Sequence, residues 1–433
     1  MKRNFLENLR LAGFPLGLGL ASVLVGGTLN RVMIVELDTP ASLVGLFFAL
    51  PLIISPLRVW LGYRSDAYPV FGLRREPFII LGSLMAGLGV LGATVLVLNG
   101  SPLGILAGLV VVGAFLAYGL GKSLSSNTFE ALLADKFHGD ARPRAVTFYK
   151  VAMFLGIMIG AVLLGRLLDP FSKNRLIIVV MGVVLSAFIL TILGVSLQEP
   201  RKAGIESEIE TAKRIPFMET FKTLVWADPQ IRRFFIFVML TVVGTLGQDV
   251  LLEPYAALVL GMSVGETTSL TAIWGAGTLL SMAAAGGWLI KKFEYEWVVR
   301  IGLVLGIIIF TGLILTGYFG LSTQFLVLVF FLGMSTGLSA SGMLSAVIKF
   351  TTSARAGLLM GVWGVAHNLG QALGSLLSGA LVDLVRAFNG NAMMAYGIVF
   401  ALEGFLLLLA MGVLSRVKMQ ESRLLAEGFW QEG

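Results

Sequence analysis

Six ionisable side chains lie inside apolar stretches of this 433-residue chain: Arg31 and Glu36 near its start, Asp249 and Glu253 near its middle, His367 and Glu403 towards its end. A charge at the centre of a bilayer is costly, so such residues face a protected interior and mark functional positions. Carboxylates placed there carry protons or hold cations, an arginine neutralises a carboxylate, and a neutral imidazole ligates a metal ion. Asn30 precedes Arg31, and Asn368 and Gln371 follow His367, which adds hydrogen-bonding groups at the same depth. Cysteine is absent and His138 is the other histidine, so zinc sites, thiolate chemistry and histidine-based hydrolysis fit poorly. No nucleophile, metal cluster or nucleotide loop stands out, and an enzyme is not expected.

Membrane-crossing helices must carry these residues. Of the chain, 57% is hydrophobic and 13% charged, and the mean hydropathy is +0.89, unlike a soluble protein. Twelve apolar runs are centred near Leu24, Leu50, Gly87, Val112, Gly156, Leu185, Leu240, Ile273, Ile307, Phe331, Gly370 and Phe405. Each is about 20 residues, the length that spans a hydrocarbon core of about 30 Å. The first run is long enough to cross and is followed directly by others, so the N-terminus reads as a retained membrane segment rather than a removed signal. The longest polar break contains EPRKAGIESEIETAKR and reads as a solvated linker with one surface helix. It gives a six-helix bundle over 1–197, a cytoplasmic linker over 198–233 and a second six-helix bundle over 234–433.

Short cytoplasmic loops hold the excess of lysine and arginine. Placing both termini in the cytoplasm leaves Arg31, Arg166, Lys173, Arg175 and Arg386 on the opposite side, with Arg58 and Lys122 near cytoplasmic helix ends. Topology thus accounts for the net charge of +7, and no nucleic-acid partner is needed.

The two halves are copies. GTLNRVMIVE from Gly27 and GTLGQDVLLE from Gly244 share Gly-Thr-Leu and a glutamate nine residues after the glycine, at Glu36 and Glu253. Gly156, Gly160, Gly165 and Asp169 recur as Gly370, Gly374, Gly379 and Asp383, each set spaced G-x3-G-x4-G-x3-D. The first match is offset by 217 residues and the second by 214, which lays one half on the other almost in register. Parallel six-helix repeats resemble the layout of the major facilitator superfamily. The expected fold is therefore all-α, with twelve transmembrane helices in two pseudo-symmetric bundles. The repeated glycines read as close-packing positions, and the two aspartates, at outer helix ends, as a shared structural cap.

The segment GYRSDAYPVFGLRREP, residues 62–77, carries a further resemblance to that superfamily. Gly62, Asp66, Gly72, Arg74 and Arg75 resemble its cytoplasmic latch, in which a helix end and arginines hold a carboxylate. The loop is longer here, and no arginine directly follows Asp66. The mirror segment GGWLIKKFEYE has Lys291 where an aspartate is expected, so only the first half is expected to make the charge relay.

GTLNRVMIVEL, the following PASLVGLFFALPLIISPLR, and GYRSD with GLRREPFI together resemble the PucC-like proteins, the bacteriochlorophyll delivery family of the superfamily. The resemblance covers the whole chain in layout and is specific in these three segments. It implies a membrane assembly factor that binds or delivers chlorophyll or bacteriochlorophyll while light-harvesting or photosystem complexes are built. The implied setting is the inner (cytoplasmic, intracytoplasmic or thylakoid) membrane of a phototrophic bacterium, with lipid around the protein and antenna or photosystem polypeptides as partners. The residues alone leave two other classes open. One is a proton- or ion-coupled transporter of a small solute, with coupling carried by Glu36, Asp249, Glu253 and Glu403. The other is a scaffold that holds antenna polypeptides without touching pigment.

On the pigment reading, His367 in GVWGVAHNLGQALG is the leading axial ligand for the chlorin magnesium, with Asn368, Gln371 and Asn30 as further ligands or partners of ring carbonyls. Arg31, Glu36, Asp249 and Glu253 are candidates for pigment or substrate contact. Arg31 and Glu36, five residues apart, stand about 140° apart around an α-helix and are not expected to pair ideally. Glu253 or Asp249 on the seventh helix is the expected partner of Arg31, because the first and seventh helices face one another in this fold. Asn127 and Glu130 fit snorkelling or an interhelical hydrogen bond. His138, in DKFHGDARPR, reads as a solvated loop residue.

Overall fold

The computed structural model describes residues 9–54, 73–99, 105–137, 141–199, 229–350 and 356–417. Among them the chain forms α1 (Gly13–Val23), α2 (Ala41–Ile53), α3 (Glu76–Asn99), α4 (Ile105–Lys136), α5 (Ala141–Leu167), α6 (Lys173–Val195), α7 (Pro229–Leu246), α8 (Leu252–Leu260), α9 (Val264–Ala284), α10 (Ile290–Phe319), α11 (Ser322–Phe350), α12 (Ala356–Asn389) and α13 (Ala392–Leu414). In lipid every backbone polar group must be satisfied within the segment, which is why apolar runs of this length become helices.

Ten helical stretches among the described residues are long and apolar enough to cross a bilayer. One of them, Val264–Phe319, has 56 residues, too many for one crossing, and its backbone leaves the helical region at Glu294. α2 is a shorter apolar helix beside residues 55–72, which lie outside the described residues. With the long stretch taken as two crossings and α2 as one, the expected twelve-helix, all-α fold is met. Local chemistry sets several ends. Gly320 stops α10 in the left-handed conformation that glycine adopts without strain, and the Asn391 side chain caps α13 by accepting the Met394 N–H at 3.2 Å.

The chain packs as two units. The first comprises the described residues of Met1–Thr39, Leu46–Ile215 and Gly261–Ala272, the second those of Pro40–Gly45, Pro216–Leu260 and Ile273–Gly433. Each unit therefore takes in the start of one helix from the other half of the sequence: α9 in the first, α2 in the second.

The helix pairings of the two units match. In the first, α1 packs on α5 and α6, and α3 on α4 and α6; in the second, α7 packs on α12 and α13, and α10 on α11 and α13. The repeated glycines make these approaches possible. A Cβ at Gly160 would stand 3.3 Å from the Leu20 Cα, and one at its mate Gly374 would stand 2.9 Å from the Gly247 Cα.

Aromatic clusters fill both interiors. Phe129 sits between Phe14 and Tyr149, with ring centroids 4.6 and 5.3 Å away. In the second unit Tyr255 contacts Phe325, Tyr396 and Phe400, and its hydroxyl donates to the Leu313 carbonyl at 2.7 Å. On α6 the exposed residues Ile178, Met181, Leu185, Ile189 and Leu193 recur every three or four positions, a stripe that only lipid or a partner helix satisfies.

Asp169 stands just past the end of α5 and Asp383 lies within α12, before its end at Asn389; each meets the start of another helix. In the first unit Ser263, just before α9, donates its hydroxyl to Asp169 at 2.9 Å. In the second, Asp383 accepts the backbone N–H groups of Ala41 and Ser42. A Cβ at Gly165 would stand 2.9 Å from the Gly265 carbonyl oxygen, and one at Gly379 would run into that of Ala41. The last glycine of each motif thus admits a helix start; Asp383 caps the one it meets, while Asp169 holds the hydroxyl of Ser263, which itself pairs with Glu266 at the start of α9.

Candidate functional site

The membrane-depth polar residues of the first unit sit where its first helix departs from α geometry. Leu24–Leu29 and Val32–Glu36 are π-helical. Thr28 and Asn30 are fully buried and Arg31 is nearly so. Asn30 Oδ1 accepts the Arg31 backbone N–H at 2.6 Å. Arg31 Nη1 donates to Glu36 Oε1 at 2.6 Å, while Arg31 Nε and Thr28 Oγ1 have no hydrogen-bond partner among the described residues.

The Arg31–Glu36 pair corrects the expectation drawn from an ideal α-helix. Bonding from residue i to i+5 widens the turn, so residues five apart become neighbours instead of standing well around the axis from one another. Glu36 is the carboxylate that Arg31 holds within its own unit, and its side chain stays 31% exposed.

In the second unit the repeat mate of this stretch also departs from α geometry, in the opposite sense. Gly247–Val250 is a 3-10 turn between α7 and α8. Asp249 in this turn accepts a hydrogen bond from Gln371 Nε2 at 3.2 Å. Gln248 donates to the Thr245 carbonyl at 2.7 Å. Glu253 is buried in the first turn of α8. Ser378 donates to the buried Glu403 at 3.3 Å. Gly374 and Ser378 follow Gln371 along α12 and bring that helix against the turn and α13.

His367 precedes Gln371 by one helical turn on α12 and is half-buried, with the Trp363 ring 5.5 Å away one turn earlier. Asn368 is half-buried beside it. The structure thus brings Asp249 to Gln371 and places His367 on the same helix face.

The cytoplasmic latch lies only partly within view. Gly62, Asp66 and Gly72 are outside the described residues, as is His138. Arg75 Nε donates to Asp135 at the end of α4, 2.9 Å away. Two carboxylates that the sequence reading passed over complete this corner. Glu199 accepts the backbone N–H groups of Arg74, Arg75 and Glu76 at 2.7, 2.8 and 3.2 Å, closing the start of α3. Glu76 in return accepts those of Leu197, Gln198 and Glu199 at 2.9, 2.6 and 2.7 Å, just past α6. Lys136 donates to the Gln198 side chain. The signal in the sequence was a shared Glu-Pro pair, Glu76-Pro77 and Glu199-Pro200. On α4, Asn127 is half-buried and Glu130 exposed.

Two cavities differ in character. One of about 30 Å³ inside the first unit is lined by Ser22, Ser83, Tyr118, Ser125 and Thr191 among apolar residues, room for water and not for a macrocycle. The other, about 420 Å³, is an apolar groove on the outside of α3 and α4 between Leu81, Leu84, Leu88 and Ala117.

The bilayer-length apolar helices and their matched pairings define a multi-pass membrane protein with a fold of the major facilitator type. The nucleoside transporter NupG, in a single-residue variant, superposes on it with a TM-score of 0.74 over 95% of this chain and 99% of that one, at 13% identity, a likeness of fold alone. The sequence profile described as PUCC protein matches residues 28–422, and the chain belongs to the PucC family. It is 32% identical to Protein PucC of Rhodobacter capsulatus over 93% of this chain and 90% of that protein. It is equally 32% identical to the bacteriochlorophyll synthase 44.5 kDa chain of Rhodobacter capsulatus over 95% of each. The family read from the three N-terminal segments is therefore the right one.

Proposed function

We propose that the protein handles pigment: it binds a bacteriochlorophyll- or chlorophyll-type chlorin and passes it to antenna or photosystem polypeptides in the inner membrane of a phototroph. The observation that supports this reading is membership of the PucC family over nearly the whole chain, alongside a relative named as a bacteriochlorophyll synthase chain. The residues fit such a cargo. A magnesium chlorin needs one axial donor, a few hydrogen-bonding groups and apolar walls, and α12 offers His367, Asn368 and Gln371 with the Trp363 ring alongside. Asn30, Arg31, Glu36 and Glu253 are further candidate contacts.

The test is absorption spectroscopy of the protein purified from a phototrophic host. Chlorin bands are expected to co-purify with the wild type and to be lost from His367→Ala. Absence of chlorin from the wild type, with normal antenna levels after gene deletion, overturns the reading. A second reading, coupled transport of a small solute, is supported by the buried Glu403 and the half-buried Asp249. Proton-driven solute uptake by vesicles holding the pure protein decides for it.

A further inference from the structure

Glu403 lies near the middle of α13 and is 1% exposed. Ser378 supplies its one hydrogen bond, to Oε1, and Oε2 has no partner among the described residues. The backbone against it is the broken turn after α7: a Cβ at Gly247 would stand 2.6 Å from Glu403 Oε1 and 3.1 Å from Ser378 Oγ. Gln248, next in the chain and also 1% exposed, has no hydrogen-bond partner for its Oε1 among the described residues. α13 packs on α7, α8, α10, α12 and this turn, which carries Asp249; Glu253 stands buried in the first turn of α8.

We propose that Glu403 is a proton-binding site, loading and unloading a proton against the break at Gly247–Val250, with Asp249 as the second carboxyl of the pair. A carboxylate at this depth with a single hydroxyl donor is an uncompensated charge and requires a cation. Gly247 closes in on the Oε1 side, and a proton is the cation that asks for the least room there. Asp249 belongs to the 3-10 turn between α7 and α8, so a change of charge on Glu403 acts on a turn that is not held by α-helical bonding. Broken helices carrying carboxyl groups are where membrane proteins bind coupling ions. The proton comes from water and returns to it, and nothing else is consumed. The site deepens the coupled-transport reading, on which it rests, and stands apart from the pigment reading, which does not require it.

Infrared difference spectra of the full protein in lipid vesicles, recorded on acid and base steps in H2O and D2O, test the site. The wild type is expected to show a protonated-carboxyl C=O band that shifts down in D2O and disappears in Glu403→Gln. Ser378→Ala, which removes the hydrogen bond to Oε1, is expected to keep the band and move it to higher frequency. A band of equal size in wild type and E403Q, or no band wherever the wild type stays folded, overturns the proposal. So does stabilisation by sodium over choline chloride that E403Q abolishes, which would make this a metal-cation site. Should E403Q fail to fold, the S378A spectrum decides, and an unmoved band overturns the assignment.

Discussion

Asp383 and Ser42 are 341 residues apart in sequence and in direct contact: Asp383 Oδ2 accepts the Ser42 backbone N–H at 2.7 Å, while Oδ1 accepts that of Ala41 at 2.9 Å. The carboxylate satisfies two of the donors that a helix start leaves open and places a negative charge where the helix dipole favours one. Its repeat mate Asp169 receives the Ser263 hydroxyl before α9.

Asp383→Ala is expected to destabilise the protein by about 1 kcal/mol, within the roughly 0.5 to 2 kcal/mol that a lost cap costs. Asp383→Asn should cost less, because the amide oxygen still accepts. Thermal unfolding of the purified variants checks the order wild type, Asn, Ala; an unchanged midpoint for D383A removes the cap from the explanation of the repeat.

Arg31→Met combined with Glu36→Gln should be more stable than Glu36→Gln alone, since the single variant leaves a buried guanidinium without its carboxylate. Breaking a fully buried pair costs about 3 to 5 kcal/mol. Glu36 is 31% exposed, and solvent screening reduces the effect to about 1 to 3 kcal/mol. A double-mutant cycle on thermal stability measures the coupling. If Arg31 instead couples to Glu253→Gln or Asp249→Asn and not to Glu36, the partner expected from the repeat is the true one.

Glu76→Ala and Glu199→Ala each remove the acceptor for three backbone N–H groups, and each is expected to cost about 1 to 3 kcal/mol, the penalty for leaving such groups unsatisfied. Because the two carboxylates hold each other's chain segments, the double variant should cost less than the sum of the singles. Strict additivity in thermal melts would separate the two caps.

The absence of cysteine makes the topology directly testable. A cysteine introduced at Ser101 is expected to react with an impermeant thiol reagent only from outside, and one at Ser207 only from inside. Both positions lie outside the described residues. The reverse pattern overturns the orientation.

The apolar runs and the duplicated motifs were legible because both are local or periodic signals. Gly165 with Asp169, and Gly379 with Asp383, announced a structural pair from spacing alone. The Arg31–Glu36 contact was not legible, since reading a helix at constant pitch puts five-residue neighbours well around the axis, and no residue type in LNRVMIVE marks a π turn. Glu76 and Glu199 escaped for a different reason: their partners are backbone groups more than a hundred residues away, and a loop carboxylate looks solvated until both helix ends are placed. His367 and Gln371 share a face by simple i, i+4 spacing, whereas the Asp249 bond to Gln371 depends on how α12 meets the broken turn.

The exchanged helix starts impose an order on biosynthesis. A nascent chain folds from its N-terminus as it emerges, yet Ala41 and Ser42 meet their carboxylate only after Asp383 has been made, 341 residues beyond Ser42. Asp169 waits less long, for Ser263. The start of the second helix therefore spends that interval with open donors, available to water. Neither half can complete its own unit until the other has entered the membrane.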